Sequence, residues 1–145
     1  MSEHKTNQDP LTEELLDELL ASPNPESFLN SHTFSEKTLS QLLQEYLTQK
    51  NLERSKVVRE AQINDTHGYQ IFTGSRGASR DKVLQLAFAM SLSLKETSRL
   101  LHAAGANPLY VKNRRDAIIT FCINNGYTLQ YTNEQLYAFG EEILG

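Results

Sequence analysis

The sequence predicts an all-α protein, because three observations favour helices over a sheet. Apolar residues recur at intervals of three and four along most of the chain, as on one face of an α-helix. Capping-box pairs precede several of these segments, and glycine follows others. Only residues 127–131 alternate in the manner of a strand, and they lack a partner segment, so they are interpreted as a loop.

The stretch of residues 52–74, LERSKVVREAQINDTHGYQIFTG, has the apolar spacing of two short helices joined by a turn. Asn64 is a favourable N-cap for the second helix. Gly74 can adopt the left-handed conformation that ends this helix. We therefore predict a helix-turn-helix with helices at about 53–61 and 65–73, a unit whose second helix commonly enters the major groove of DNA.

Apolar spacing, prolines and capping residues also predict the structure of the chain before this unit. Residues 1–10 are predicted to be a disordered polar leader, and the leucines of residues 11–20 indicate a short acidic amphipathic helix. Residues 22–27, SPNPES, hold two prolines and are interpreted as a break. Thr33 and Glu36 have capping-box spacing before the next helix. The apolar stripe of that helix consists of Leu39, Leu42, Leu43, Tyr46 and Leu47.

Four further helices are predicted after the unit. Ser93 and Glu96 form a capping box before the second of them, and Gly105 ends it. The third ends near Gly126, and Thr132 is predicted to begin the last. The apolar residues assigned to these helices are Val83, Leu86, Ala87, Met90, Leu94, Leu100, Leu101, Ile118, Phe121, Cys122, Leu136, Phe139 and Ile143.

The stretch at residues 52–74 resembles the phage-repressor and Cro-like (Xre-type) helix-turn-helix proteins. QIFTG, residues 70–74, is similar to the end of a recognition helix, and residues 81–90 and 91–101 resemble that family's fourth and fifth helices. The resemblance covers roughly residues 39–105. The flanking motifs look like those of a bacterial subgroup with extra N- and C-terminal helices. The resemblance implies a lambda-repressor-like five-helix DNA-binding domain in a cytoplasmic transcription regulator without catalysis or cofactors.

On this basis the chain is divided into three parts. Residues 1–32 are predicted to be an acidic leader with one short helix, residues 33–106 the Cro/repressor-like domain, and residues 107–145 a C-terminal helical extension. A length of 145 residues suits one compact domain with such appendages.

The resemblance also implies which residues contact DNA. By position in the family's motif, Asp65 and Thr66 match residues that contact bases, and Arg54 matches the polar residue that begins the preceding helix. The side-chain chemistry allows Gln70 to pair with adenine, Thr66 to contact a thymine methyl group and Arg54 to hold a phosphate.

A small-residue loop, GSRGASR, follows the unit and leads into a helix that Ser79 is expected to cap. Arg76 and Arg80 lie in this loop and are predicted to clamp the DNA backbone, helped by the free N–H groups of that helix. The complete set of predicted DNA-binding residues is Arg54, Asp65, Thr66, His67, Tyr69, Gln70, Thr73, Arg76 and Arg80.

Three residues depart from the family's pattern. Asp65 places a carboxylate among phosphates and can help only by accepting from a cytosine amino group. Gln62 stands where the family usually has a turn glycine, and Gly68 where it has an apolar core residue. The predicted recognition helix contains no lysine or arginine. A protein-interaction adaptor on a helix-turn-helix fold that has lost DNA binding is therefore the alternative function.

Charge is segregated along the chain, although the net charge is −4. Residues 1–48 hold two lysines against nine acids, residues 49–116 hold twelve basic residues against six acids, and residues 117–145 hold three glutamates and no lysine or arginine. A basic centre is the pattern expected of a phosphate-binding module. The alternative is an ordinary solvated helix surface.

The flanks leave two questions open. The C-terminal aromatic residues either form a lid over the core or form a homodimer surface, and the acidic N-terminal helix either docks on its own domain or binds a protein partner in a groove. The aromatic residues concerned are Tyr110, Phe121, Tyr127, Tyr131, Tyr137 and Phe139.

The remaining features exclude other classes of protein. Cys122 is the single cysteine, so the chain cannot form an internal disulfide, and the scattered histidines give no zinc-ligand spacing. No positioned nucleophile or phosphate-binding glycine loop indicates an enzyme. No apolar run approaches the ~18 residues of a membrane span, so a cytoplasmic protein is expected.

Overall fold

The computed structural model describes residues 12–31 and 37–145. These residues form α-helices and no strand, which confirms the all-α class. The helices are α1 (Thr12–Ala21), α2 (Pro25–Ser31), α3 (Leu39–Lys50), α4 (Arg54–Glu60), α5 (Asp65–Thr73), α6 (Arg80–Ala89), α7 (Leu94–Ala103), α8 (Arg114–Asn124) and α9 (Leu129–Ala138).

The chain divides into two compact units, of which the first contains α1 and α2 and the second contains α3–α9. In the first unit, Pro25 begins α2, a position where the missing N–H of proline removes no helical hydrogen bond. Asn24 accepts the N–H of Ser27 at 2.8 Å and so supports that start. The break predicted across residues 22–27 is therefore wrong from Pro25 onward.

The second unit, Lys37–Gly145, has one hydrophobic core that the C-terminal helices share with the helix-turn-helix. The helices α8 and α9 pack against each other, and they reach the rest of the unit through α7 and α6. Its fully buried side chains include Leu43, Tyr46, Ile71, Phe72, Leu86, Leu100, Ile119, Leu136 and Leu144. Residues 107–145 are thus part of the same compact body as residues 37–106.

Most predicted helix boundaries agree with the structure. Ser93 and Glu96 form both bonds of a capping box, and Ser79 accepts the N–H of Lys82. The helix α3 begins with a capping box at Thr38 and Gln41. The capping box predicted at residues 33–36, like the leader at residues 1–10, lies outside the described residues.

The C-terminal helices differ from the prediction. Thr128, not Thr132, is the N-cap of α9, because its side chain accepts the N–H of Tyr131 at 3.0 Å. Thr132 lies in the next turn and donates to the carbonyl of Thr128 at 2.8 Å. Residues 129–131 are therefore helical and not a loop. Of the apolar residues assigned to the last two helices, Phe121, Phe139 and Ile143 are exposed, while the neighbouring Ile119, Ile123 and Leu144 are buried.

Candidate nucleic-acid interface

The helices α4 and α5 and the turn between them match the predicted helix-turn-helix to within a residue at each boundary. Asn64 caps α5 by accepting the N–H groups of Thr66 at 2.9 Å and His67 at 3.2 Å. Gln62 takes a left-handed φ of 61° in the turn. A left-handed backbone favours glycine, so glutamine adopts this turn conformation at an energetic cost.

Gly68 is where α5 approaches α4 most closely. A Cβ atom at Gly68 would lie 2.4 Å from Cγ1 and 2.7 Å from Cγ2 of Val58. These distances are far below van der Waals contact, so any larger residue would separate the two helices. Gly68 has no side chain to bury because the side chain of Val58 already fills the space between α4 and α5.

Three polar side chains outside the motif hold its two helices in place. Ser40 Oγ donates to the carbonyl of Phe72 at 2.6 Å, and Gln44 Nε2 donates to the same oxygen at 3.0 Å. Gln85, buried in α6, donates from Nε2 to the carbonyl of Ala61 at 2.8 Å. These contacts could not be predicted from the sequence, because the bonded residues lie 24 to 32 positions apart in the chain. The one signal available was a glutamine inside the apolar stripe of α6.

The outward side of α5 is a polar stripe, which we define as Asp65, Thr66, Tyr69 and Thr73. All four side chains are exposed. They fall at intervals of three and four, so they share one face of the helix. His67 and Gln70 flank this face and are half-buried. Their backbone groups take part in the two ends of α5. The His67 N–H donates to the Asn64 side chain at the start, and the Gln70 carbonyl accepts the N–H of Gly74 at the end.

Two arginines outside α5 contact side chains of this helix. The guanidinium carbon of Arg54 lies 4.7 Å from the centre of the Tyr69 ring, which is a cation–π contact. Arg76 Nη1 donates to Gln70 Oε1 at 3.3 Å. Both arginines are exposed, and each guanidinium carries five N–H donors, more than these contacts use.

Arg80, predicted to be a phosphate clamp, is instead engaged by other groups of the protein. Its guanidinium bonds both carboxylate oxygens of Asp116, at 3.1 and 2.8 Å. It also donates to the carbonyl oxygens of Asn107 at 2.9 Å and Pro108 at 3.0 Å. Its positive charge is paired with the Asp116 carboxylate and four of its five N–H donors are used. Arg80 thus joins the start of α6 to the start of α8.

The pKa of Asp116 reflects this engagement. Burial of the carboxyl group is the largest single influence and opposes ionisation, but the Arg80 hydrogen bonds, the Tyr110 N–H and the charges of Arg80 and Arg115 together outweigh burial. The pKa of Asp116 is therefore lowered from its ordinary value, and the carboxylate remains ionised.

Internal ion pairs change the distribution of free positive charge. Lys50, Arg80, Arg114 and Arg115 pair with Glu96, Asp116, Glu141 and Asp81. Within residues 52–76, the exposed cations are Arg54, Lys56, Arg59 and Arg76. These four cations stand against Glu53, Glu60 and Asp65 in the same segment, so residues 52–76 carry a small positive surplus of charge.

Comparisons with protein-family models, curated proteins and solved structures found no match to this chain. Among the helices that the structure describes, none is long and apolar enough to cross a membrane. Any assignment of function therefore depends on the site geometry above and on the chemistry of its exposed side chains.

Proposed function

We propose that this protein is a sequence-specific DNA-binding transcription regulator that places α5 in the major groove of double-stranded DNA. The observation that carries the proposal is the exposed polar stripe of α5, flanked by Arg54 and Arg76. The residues at the start of such a helix meet base edges, while arginines at its borders hold phosphates.

Each side chain of the site has a role that follows from its donors and acceptors. Thr66 can contact a thymine methyl group, and Asp65 can accept from the amino group of cytosine. Gln70 can pair with adenine through its amide, and Arg76 already orients that amide by donating to its oxygen. Arg54, held over the Tyr69 ring, is placed to contact the backbone beside the base-reading residues.

The experiment that tests the proposal is selection from a pool of random DNA duplexes at two salt concentrations, followed by sequencing of the retained fraction. An enriched motif is expected. Arg54→Ala and Arg76→Ala should then weaken binding and lower the slope of log affinity against log salt by about 0.9 per lost phosphate contact. Lys112→Ala is the matched control, because it removes an exposed positive charge far from α5 in sequence. Absence of retention at low salt would refute DNA binding.

A homodimer through α8 and α9 is the second part of the proposal. A groove of about 350 Å³ lies between these helices, and none of the described side chains that line it carries a formal charge. Phe121 and Phe139 stand at the groove and are 62% and 57% exposed. A two-fold symmetric contact brings the same surface of two copies together, so that surface must be complementary to itself. Here the exposed rings of one copy can enter the groove of the other.

Three exposed rings stand at this groove, namely Phe121, Tyr131 and Phe139. At ~150–250 Å² per aromatic side chain, their exposed parts add up to roughly 300 Å² of buriable surface per copy. A standard interface buries about 800 Å² per partner, so the dimer contact must extend beyond the groove. A second copy would also present two α5 helices to a palindromic DNA site.

Sedimentation velocity distinguishes a dimer from a monomer whose groove remains exposed to solvent. Phe121→Ser should shift the full chain from dimer to monomer, whereas Tyr110→Ser, which alters a side chain with 60% exposure outside the groove, should leave the dimer intact. A monomeric parent protein at micromolar concentration would refute this part of the proposal without affecting DNA binding.

The alternative function is a protein-interaction adaptor, favoured by the Asp65 carboxylate at the start of α5. In that case the exposed leucines of α1, Leu16, Leu19 and Leu20, would occupy a groove on a protein partner. An adaptor would show no enriched DNA motif. Its affinity for that partner would also be insensitive to Arg54→Ala and Arg76→Ala.

A further inference from the structure

Two adjoining cavities, of about 410 and 330 Å³, lie on the side of the second unit where several helices end. They share the wall residues Phe88, Ser91, Gly126 and Tyr127. Because of this common wall we treat them as one space and call it the helix-end cleft. Its volume falls within the roughly 300–1,000 Å³ typical of small-molecule sites.

Four helices contribute their last residue to the helix-end cleft: Lys50 of α3, Glu60 of α4, Ala89 of α6 and Asn124 of α8. Carbonyl groups at the C-terminus of a helix lack intrahelical partners and carry partial negative charge. The N-caps of α7 and α9, Ser93 and Thr128, also line the cleft and offset part of this charge. Four C-termini against two N-termini leave a surplus that favours a cation.

The formal charges of the side chains that line the cleft also favour a cation. Glu60 and Glu96 supply two carboxylates against the single ammonium group of Lys50. Burial of Glu96 opposes its ionisation most strongly, but hydrogen bonds from Ser93 and Lys50 and the charge of Lys50 outweigh burial, so the pKa of Glu96 is lowered. The lining therefore carries a net charge of −1 near neutral pH.

Aromatic rings form the wall between the two cavities. Phe88 is 8% exposed and fixed in the core, while the Tyr127 ring is 38% exposed and lies edge-on to Tyr131 with 4.7 Å between ring centres. Ring faces attract cations and provide apolar contact for a flat molecule. At Gly126 no atom lies within 4 Å of where a Cβ would be, so the wall is open at that point.

We propose that the helix-end cleft binds a small organic cation, namely a protonated amine carrying an aromatic or similarly flat apolar body. The apolar body lies against Phe88 and Tyr127, and the ammonium group lies among the helix C-termini and the carboxylates. Gln62, in the turn between α4 and α5, lines one end of the cleft. An amine bound there contacts the segment that positions α5, a regulatory consequence that depends on the proposed DNA binding.

The test uses three probes of similar size and different charge: benzylamine, benzyl alcohol and benzoate. In a titration of the full chain followed by ¹H–¹⁵N NMR, benzylamine should shift the amide signals of Ser91, Gly126 and Tyr127. Its affinity should exceed that of benzyl alcohol by roughly threefold or more, with benzoate weakest. Equal or tighter binding of benzyl alcohol or benzoate, or shifts centred on other residues, would overturn the proposal.

Glu60→Gln should weaken benzylamine binding by about threefold without affecting benzyl alcohol. Glu134→Gln is the matched control, because it removes an exposed carboxylate of α9 that does not line the cleft. The dispersion of the NMR spectrum shows that each variant is folded. Equal effects of the two variants would overturn the assignment of the cation to this cleft.

A DNA-binding assay at saturating benzylamine tests the regulatory consequence. A change in DNA affinity relative to benzyl alcohol with an equal concentration of sodium chloride supports this consequence, and an unchanged affinity overturns it. Failure of the chain to bind DNA would already be evident without amine, so it cannot be confused with failure of the cleft, which the NMR titration reports independently.

Discussion

Thr66 offers the sharpest residue-scale test of base reading, because its side chain is exposed and its contribution to the N-cap of α5 is made by the backbone N–H. Thr66→Ala should therefore leave α5 folded. On the selected DNA site we expect a loss of about 1–3 kcal/mol in binding free energy, with little change on unrelated sequences. Fluorescence anisotropy on both duplexes measures this difference.

Thr48→Ala is the control for Thr66→Ala, since Thr48 is an exposed threonine on α3 whose hydroxyl donates to the carbonyl of Gln44. It should leave both affinities unchanged. If Thr66→Ala weakened binding to every duplex by the same factor, the residue would be a backbone contact and not a base reader.

Gly74 permits the left-handed backbone that ends α5. Its φ is 88°, and an added Cβ would lie 3.3 Å from Cβ of Ser40, the residue that also donates to the end of the helix. Gly74→Ala should lower the free energy of unfolding by about 1–2 kcal/mol, because a left-handed conformation is strained for alanine. Urea denaturation measures the change.

Gly77→Ala provides the comparison, because an added Cβ there meets no atom within 4 Å and the φ of Gly77 is not positive. We expect unchanged or slightly higher stability, by up to ~1 kcal/mol, since alanine restricts the unfolded chain. Equal losses in the two glycine variants would show that backbone conformation is not the cause.

At the scale of elements, the contact between Gly68 and Val58 sets how closely α5 lies on α4. Gly68→Ala should destabilise the protein by about 1–3 kcal/mol through overpacking, despite the ~1 kcal/mol that alanine gains in helix propensity. Val58→Ala removes the two methyl groups that lie 2.4 and 2.7 Å from the new Cβ.

The double variant measures this contact directly. Val58→Ala alone should cost on the order of 2 kcal/mol through the lost burial and the cavity. Together with Gly68→Ala the loss should fall short of the sum of the two single losses by about 1 kcal/mol or more. Additive losses in urea denaturation would mean that the two residues do not compete for the same space.

The same scale shows what the sequence could predict. Helices with strong apolar spacing and local caps, such as α5 after Asn64 and α7 after Ser93, were predicted close to their observed bounds, because both signals act within one turn. The predicted start of α9 is wrong because threonine is an acceptable N-cap at both Thr128 and Thr132. Tertiary packing, which the local sequence does not reveal, buries Thr132 inside the helix. The helix α2 was missed because Pro25 was interpreted as a breaker and not as a first helical residue.

Over the whole molecule, arginines at the start of α8 connect segments that are distant in the chain. Arg115 pairs with Asp81 of α6 and donates to the carbonyls of Glu142 and Ile143. Arg114 pairs with Glu141. In the sequence, Arg114, Arg115 and Arg80 all contribute to the basic centre at residues 49–116. Their partners lie 27 to 36 positions away, and no local pattern indicates an ion pair over that separation.

The ion pairs around Asp116 and Glu96 predict how the protein responds to acid. Both pKa values are lowered in the folded state from ordinary values of 3.8 and 4.5. The unfolded chain therefore binds more protons in acid, so this stabilisation is complete above the ordinary values and is lost as the pH falls through the folded pKa values. Urea denaturation midpoints should be constant between pH 7 and about pH 5.5 and then fall steadily toward pH 3.

Asp116→Asn tests how much the hydrogen bonds of the Asp116 carboxylate to Arg80 and Tyr110 contribute to the loss of stability in acid. At pH 7 it should lower stability by on the order of 2 kcal/mol, less than for a fully buried pair because Arg80 is partly exposed. Its midpoint should also change less with pH than that of the parent, because the group that gains a proton is gone. Glu134→Gln removes an exposed carboxylate and should give a profile parallel to the parent. If Asp116→Asn were also parallel to the parent, the Arg80–Asp116 bridge would not contribute to acid stability, and the polar connection between α6 and α8 would depend on the Arg115–Asp81 pair instead.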